Sequence, residues 1–140
     1  MAAPAPQLTS AIEGVRLTLH VLAAAVWVGG QLVVAGLLPT VRSLSADAPK
    51  RIAAAFGRLQ WPAYAVLIAT GIWNAAAVDT GRAGSTWQTV FGVKLATVVL
   101  AGLGAFLHQR SRTKLGLALF GAIAGLSSVA ALVLGVVIAG

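Results

Sequence analysis

A long apolar stretch near the start of the chain, residues 17 to 42, limits the possible folds more than any other feature. It reads LTLHVLAAAVWVGGQLVVAGLLPTVR and is too long for an ordinary core helix. About 20 apolar residues in a row span the hydrocarbon core of a bilayer. The stretch therefore predicts a membrane-spanning helix that carries a histidine, His20, within it.

The composition of the whole chain supports the same class. Of its 140 residues, 59% are hydrophobic and 9% are charged, whereas about 25% of residues are charged in a soluble domain. Cysteine is absent and the only methionine is the first residue, so we expect no disulfide and no sulfur ligand for a metal. The net charge of +7 comes from residues that flank apolar runs, which is typical of membrane topology rather than nucleic-acid binding.

The apolar runs predict one all-α domain, a bundle of four membrane-spanning helices. We expect these helices at about residues 11–38, 49–78, 86–107 and 115–139. Pro39 is expected to end the first helix, since proline lacks the backbone N–H that a helix interior needs. The second helix begins with an amphipathic segment, and short polar turns separate the later helices.

The distribution of lysine and arginine predicts how the bundle is oriented. The first and third connections between helices carry most of these residues, whereas the N-terminal segment and the second connection carry only Arg16 and Arg82. Cytoplasmic loops are enriched in lysine and arginine. We therefore expect both termini outside, in a multi-pass protein of a bacterial plasma membrane, with these residues on the cytoplasmic side: Arg42, Lys50, Arg51, Arg58, Arg110, Arg112 and Lys114.

Three polar residues are expected at similar depths in the outer half of the membrane. At about 1.5 Å per residue, His20, Asn74 and Lys94 lie about 8, 6 and 12 Å from the outer ends of their helices. Charged residues inside spanning helices usually face the bundle interior and serve function. We expect the three to converge near Trp27 and Trp73 as a ligand site. The alternatives are that Lys94 extends to the headgroups and that His20 and Asn74 only bond neighbouring helices.

The second histidine, His108, is predicted to lie far from this layer. It follows the third apolar run, about 33 Å along the helix from its outer end. His20 and His108 should therefore be unable to bind one metal ion or the two faces of one haem. We assign His108 to the basic turn of residues 108–114.

Scattered residues in the first three helices resemble the copper-resistance D (CopD) type of membrane domain. That pattern joins a histidine and a Trp-x-Gly-Gly motif in the first helix to an aromatic-x-Arg stretch, a Thr-Gly pair and a lysine further on. The resemblance covers about residues 15 to 110. The matching residues are His20, Trp27, Gly29, Gly30, Phe56, Arg58, Thr70, Gly71 and Lys94.

This resemblance implies a membrane protein that binds copper or haem b around His20 and Lys94, with His20 as the metal ligand. The chain departs from the pattern because it has no Met or Cys ligands, which Cu(I) prefers. His20 and Lys94 also resemble the HemJ type, which oxidises protoporphyrinogen. No catalytic residues are recognised, which favours a protein that is not an enzyme and leaves a HemJ-like oxidase as a third hypothesis. The alternative function is an accessory subunit of a larger membrane complex, and the expected partners are the lipid bilayer and a second copy or such a complex.

Overall fold

The computed structural model describes residues 7–139. Within that range the chain forms four long helices and no strand: α1 (Ala11–Leu44), α2 (Ala48–Ala77), α3 (Ser85–Arg110) and α4 (Lys114–Ala139). Each helix is long and apolar enough to cross a membrane. The predicted all-α bundle of four spanning helices is confirmed.

Neighbouring helices run in opposite directions, so the bundle has two distinct ends. We call the end that holds the start of α1, the turn between α2 and α3 and the end of α4 the terminal end. The opposite end holds the other two turns and is called the basic end. Toward the basic end, the Trp61 indole N–H donates to the Gln109 side chain over 3.0 Å, which joins the middle of α2 to the end of α3.

The first helix is longer than predicted. Pro39 lies inside α1, which continues to Leu44, so the prediction that Pro39 ends the helix is wrong. A proline costs one backbone hydrogen bond and presses on the preceding turn, yet spanning helices tolerate it because local adjustments and neighbouring groups satisfy the freed carbonyl.

The end of α3 also differs from the prediction. His108 lies in the last turn of α3 and not in a turn between helices. Its Nδ1 donates to the carbonyl of Leu117 over 2.8 Å, and its ring lies against Gly121 of α4. These contacts with α4 hold an additional helical turn in place. His108 therefore joins α3 to α4 at the basic end.

A π-helical turn interrupts α1 at Ala25–Gly29. Its backbone bonds run from residue i to residue i+5, so the turn holds one more residue than an α-helical turn. The turn carries Trp27, which is only 1% exposed. Such turns are rare and often occur at functional sites.

Small residues bring α3 and α4 together as the closest helix pair in the bundle. Ala101, Ala105 and Ala124 are buried at their contact. A Cβ on Gly104 would lie 2.8 Å from the backbone nitrogen of Ala124, so only glycine fits there. Close backbone approach supplies van der Waals contact where lipid offers no hydrophobic driving force.

Aromatic residues fill the centre of the bundle. Trp27 of α1 packs on Tyr64 and Trp61 of α2, with ring centroids 4.3 and 5.8 Å away. The Tyr64 hydroxyl donates to the carbonyl of Val98 on α3 over 2.9 Å. The Trp27 indole N–H donates to Ser128 of α4 over 2.9 Å. All four helices therefore meet around Trp27.

Candidate functional site

The imidazole of His20 is held by a chain of two hydrogen bonds that reaches from α1 to α2. Its Nδ1 lies 2.8 Å from the hydroxyl of Thr70, which in turn lies 2.7 Å from the carbonyl of Val66. A hydroxyl has one hydrogen to donate. When Thr70 donates to Val66, it accepts from His20, so the proton sits on Nδ1 and Nε2 keeps a free lone pair.

Gly71 lies beside this imidazole on α2. A Cβ on Gly71 would lie 3.6 Å from Cε1 of His20, which is an ordinary contact distance, so alanine would also fit there. Thr70 itself is buried, and His20 is partly buried. The ring is therefore held by its bond to Thr70 and lies next to Gly71.

Lys94 places its ammonium group against α4, 3.4 Å from where a Cβ on Gly135 would be. The close backbone contact between α3 and α4 sets their register and puts Lys94 about level with Gly135. The bond between Trp27 and Ser128 sets the register of α1 against α4. His20 lies seven residues before Trp27 and Gly135 lies seven residues after Ser128, so the two are at about the same depth in these antiparallel helices. Lys94 is partly buried, and its ammonium group therefore lies in the layer of His20.

Two further polar atoms are buried without a partner one helical turn closer to the terminal end. They are Nε of Arg16 on α1 and Oδ1 of Asn74 on α2, and the structure shows no hydrogen bond to either. Since α1 and α2 are antiparallel and His20 pairs with Thr70, the positions four residues away on each helix are level. Arg16 and Asn74 therefore extend the polar layer of His20 outward.

The structure brings together some of the predicted site residues and separates others. His20 and the Lys94 ammonium group lie at about the same depth, and Asn74 belongs to the same polar layer. Trp27 lies deeper, at the centre of the bundle, where its hydrogen bond goes to Ser128. Trp73 is 41% exposed on the outer surface of α2 and packs on none of the other aromatic rings within residues 7–139.

Three residues of this region, Thr70, Arg16 and Gly135, are not among the predicted site residues. Thr70 belongs to the Thr-Gly pair, but nothing in the sequence shows that its hydroxyl meets His20. Arg16 lies on the same face of α1 as His20, four residues before it, and this spacing is the signal that could have identified it. Gly135 lies in an apolar segment of α4 without any distinguishing neighbour.

The available metal donors are few. Within residues 7–139 the structure holds no group of three or more His, Cys, Asp or Glu side chains that could bind a metal ion. The site therefore offers one imidazole nitrogen to a metal. A bare copper ion needs more protein ligands than one, whereas an iron porphyrin brings four nitrogens of its own.

Two open grooves of the described part do not include the site residues. One, of about 440 Å³, is an open groove on a different face of α1, lined by Leu17, Thr18, Val21, Leu22 and Ala25. The other, of about 410 Å³, lies between the start of α3 and the end of α4. Neither groove is lined by His20 or Lys94. A ligand on His20 would therefore have part of its surface against lipid or a second copy.

The fold defines a class: an integral, multi-pass membrane protein built from four spanning helices. No protein-family model, no curated protein and no solved structure matches this chain. The resemblance to CopD-type domains thus stands on the residues given for it, and the function is argued from the site.

Proposed function

We propose that this membrane protein binds one haem b, with Nε2 of His20 as the axial ligand of the iron. The observation that carries the proposal is the chain from His20 through Thr70 to the carbonyl of Val66. Histidines that bind metals almost always donate their other ring N–H to a fixed acceptor, which orients the ring and raises its basicity. Thr70 is such an acceptor for His20.

Haem fits the donor set better than copper does. Cu(I) prefers thiolate and thioether ligands, and the sequence has no cysteine and only its first residue as methionine. Haem needs one axial nitrogen from the protein and apolar surroundings for its ring. His20 supplies the nitrogen, and apolar side chains dominate the helices around it. When bound, haem would supply redox or gas-binding chemistry, which the residues here tune by orientation and polarity.

The first prediction tests the ligand with the two histidines of the chain as a matched pair. The purified protein in detergent, titrated with ferric haem b, should give a shifted Soret band at one haem per chain. His20→Ala should abolish this band because the axial nitrogen is lost. His108→Ala should keep it, since His108 bonds to Leu117 at the basic end.

The same titration separates the alternatives. If the wild-type protein shows no Soret shift, haem binding is wrong, and metal analysis after growth with copper then decides between copper and an accessory subunit. If His108→Ala loses the band while its circular dichroism stays helical, His20 is not the sole axial ligand. Either result would contradict the proposal.

A further inference from the structure

We infer that Lys94 binds a carboxylate of the ligand whose metal is held by His20, so that the site selects a porphyrin that carries free carboxylates. This inference rests on the proposed function. It assigns Lys94 a role in recognition: the ammonium group is the counter-charge for an anionic edge of the ligand.

No acidic side chain is left for Lys94. The sequence has three acidic residues, and all three lie within residues 7–139. Glu13 caps the start of α1 through Ser10, over 2.8 Å between side chains. Asp79 pairs with Arg82 over 3.2 Å in the turn after α2. Asp47 precedes α2 at the basic end. Within the described range, no carboxylate therefore neutralises Lys94.

The surroundings of the ammonium group give it no hydrogen-bond acceptor. Lys94 is partly buried among apolar helices, and its ammonium group lies against Gly135. Within residues 7–139 the structure shows no hydrogen bond from this group to any acceptor. A charge inside the membrane normally pairs with another group or marks a ligand path. An anion that comes from outside the chain satisfies this requirement.

The metal ligand and the cation lie in the same layer of the bundle. Gly135, against which the Lys94 ammonium group lies, is at about the depth of His20 by the register that the bond between Trp27 and Ser128 sets. Arg16, one turn beyond His20, adds a second positive charge with its Nε buried and unpaired. Haem b carries an iron at its centre and two carboxylates on one edge. The layer thus offers the His20 nitrogen to the iron, and the positive charges of Lys94 and Arg16 to the carboxylates.

The experiment compares two ligands that differ only in their carboxylates. Ferric haem b and its dimethyl ester share the iron and the ring, but the ester has no negative edge. We expect the wild-type protein to bind haem b more tightly than the ester by about 10- to 100-fold, as a charged hydrogen bond in a partly buried site does. Lys94→Met should lose most of this preference, with the remainder due to the charge of Arg16, and Lys94→Arg should keep it.

Lys114→Met is the matched control, because Lys114 is exposed at the basic end. It should keep the preference of the wild type. The comparison of two ligands on the wild-type protein needs no variant, so the inference is tested even if Lys94→Met fails to fold.

The outcomes distinguish the inference from the proposed function. If the wild type binds neither ligand, haem binding itself is wrong. If it binds both with equal affinity and His20→Ala binds neither, haem binding stands and the role of Lys94 is overturned. If Lys94→Met keeps the full preference for haem b, another cation holds the carboxylate, and the inference is again overturned.

Discussion

Thr70 sets the chemical state of His20 through a single hydroxyl. Because Thr70 donates to Val66, His20 presents Nε2 without a proton. Thr70→Val keeps the shape of the side chain but removes the acceptor for Nδ1–H. We predict that haem then binds about 10- to 100-fold more weakly, the range found for partners of metal-binding histidines.

The haem titration measures this effect, and two variants serve as its controls. Thr70→Ser keeps the hydroxyl and should bind as the wild type does. Thr89→Val alters an exposed threonine that bonds only to the carbonyl of Ser85 in its own helix, and it should also leave binding unchanged. Equal binding by Thr70→Val would show that the hydrogen bond has no part in holding the ligand.

Ser128 joins α1 to α4 at the centre of the bundle through a single hydroxyl. Its hydroxyl accepts from the Trp27 indole and donates to the carbonyl of Ala124 over 2.6 Å. Ser128→Ala would leave the indole N–H without a partner where Trp27 is 1% exposed. We predict a loss of about 1–3 kcal/mol in the free energy of unfolding, the cost of a buried unpaired polar group.

Unfolding in a titration with a denaturing detergent measures this loss. Ser127→Ala is the control, since within residues 7–139 the structure shows no side-chain hydrogen bond for Ser127. A Ser128→Ala variant as stable as Ser127→Ala would mean that the Trp27 bond contributes nothing.

The sequence predicts single polar residues better than it predicts their partners. His20 and Lys94 stand out because a histidine or a lysine is costly in an apolar helix. The partners of His20 and Trp27 lie 50 and 101 positions away along the chain. Spacing along one helix reveals which residues share a face, but not which residue of another helix meets that face.

At the scale of helices, the positions of α2, α3 and α4 follow from the lengths of the apolar runs. The predicted bounds of 49–78, 86–107 and 115–139 compare with Ala48–Ala77, Ser85–Arg110 and Lys114–Ala139. The larger differences arise where local signals compete with packing. Pro39 signals an end that the membrane environment does not enforce, and the contacts of His108 with α4 extend α3 beyond its apolar run.

The packing of α3 on α4 depends on the absence of a side chain at Gly104. A methyl group there would lie 2.8 Å from a backbone atom of Ala124, which cannot turn away as a side chain would. We predict that Gly104→Ala separates the helices and costs about 1–3 kcal/mol of stability, as overpacking does.

Gly92→Ala in the same helix is the control, because a Cβ at Gly92 meets nothing within 4 Å. It should be neutral or stabilising, since alanine is the better helix former. Thermal unfolding in detergent measures both variants. Equal midpoints for the two would contradict the close approach at Gly104.

At the scale of the whole molecule, the start of α1 and the end of α4 lie on one side of the bundle, and the basic residues predict which side. The turns and adjoining helix segments toward the basic end carry seven of the ten Lys and Arg residues. Because positive loops stay in the cytoplasm, we predict that both termini face outward. A C-terminal alkaline phosphatase fusion should be active, and a C-terminal green fluorescent protein fusion should stay dark. The reverse pattern would invert the topology.

The π-helical turn at Ala25–Gly29 accommodates one residue more than a regular α-helical turn. Loss of one residue from this turn would restore regular α-helical bonding, and the segments on its two sides would keep nearly the same faces. His20 would then still meet Thr70, while Trp27 kept its place against Ser128. Gain of one residue between His20 and Trp27 has no such compensation and would rotate everything before it by about 100°. Single-residue insertions in this interval are therefore a harsher class of genetic change here than single-residue deletions.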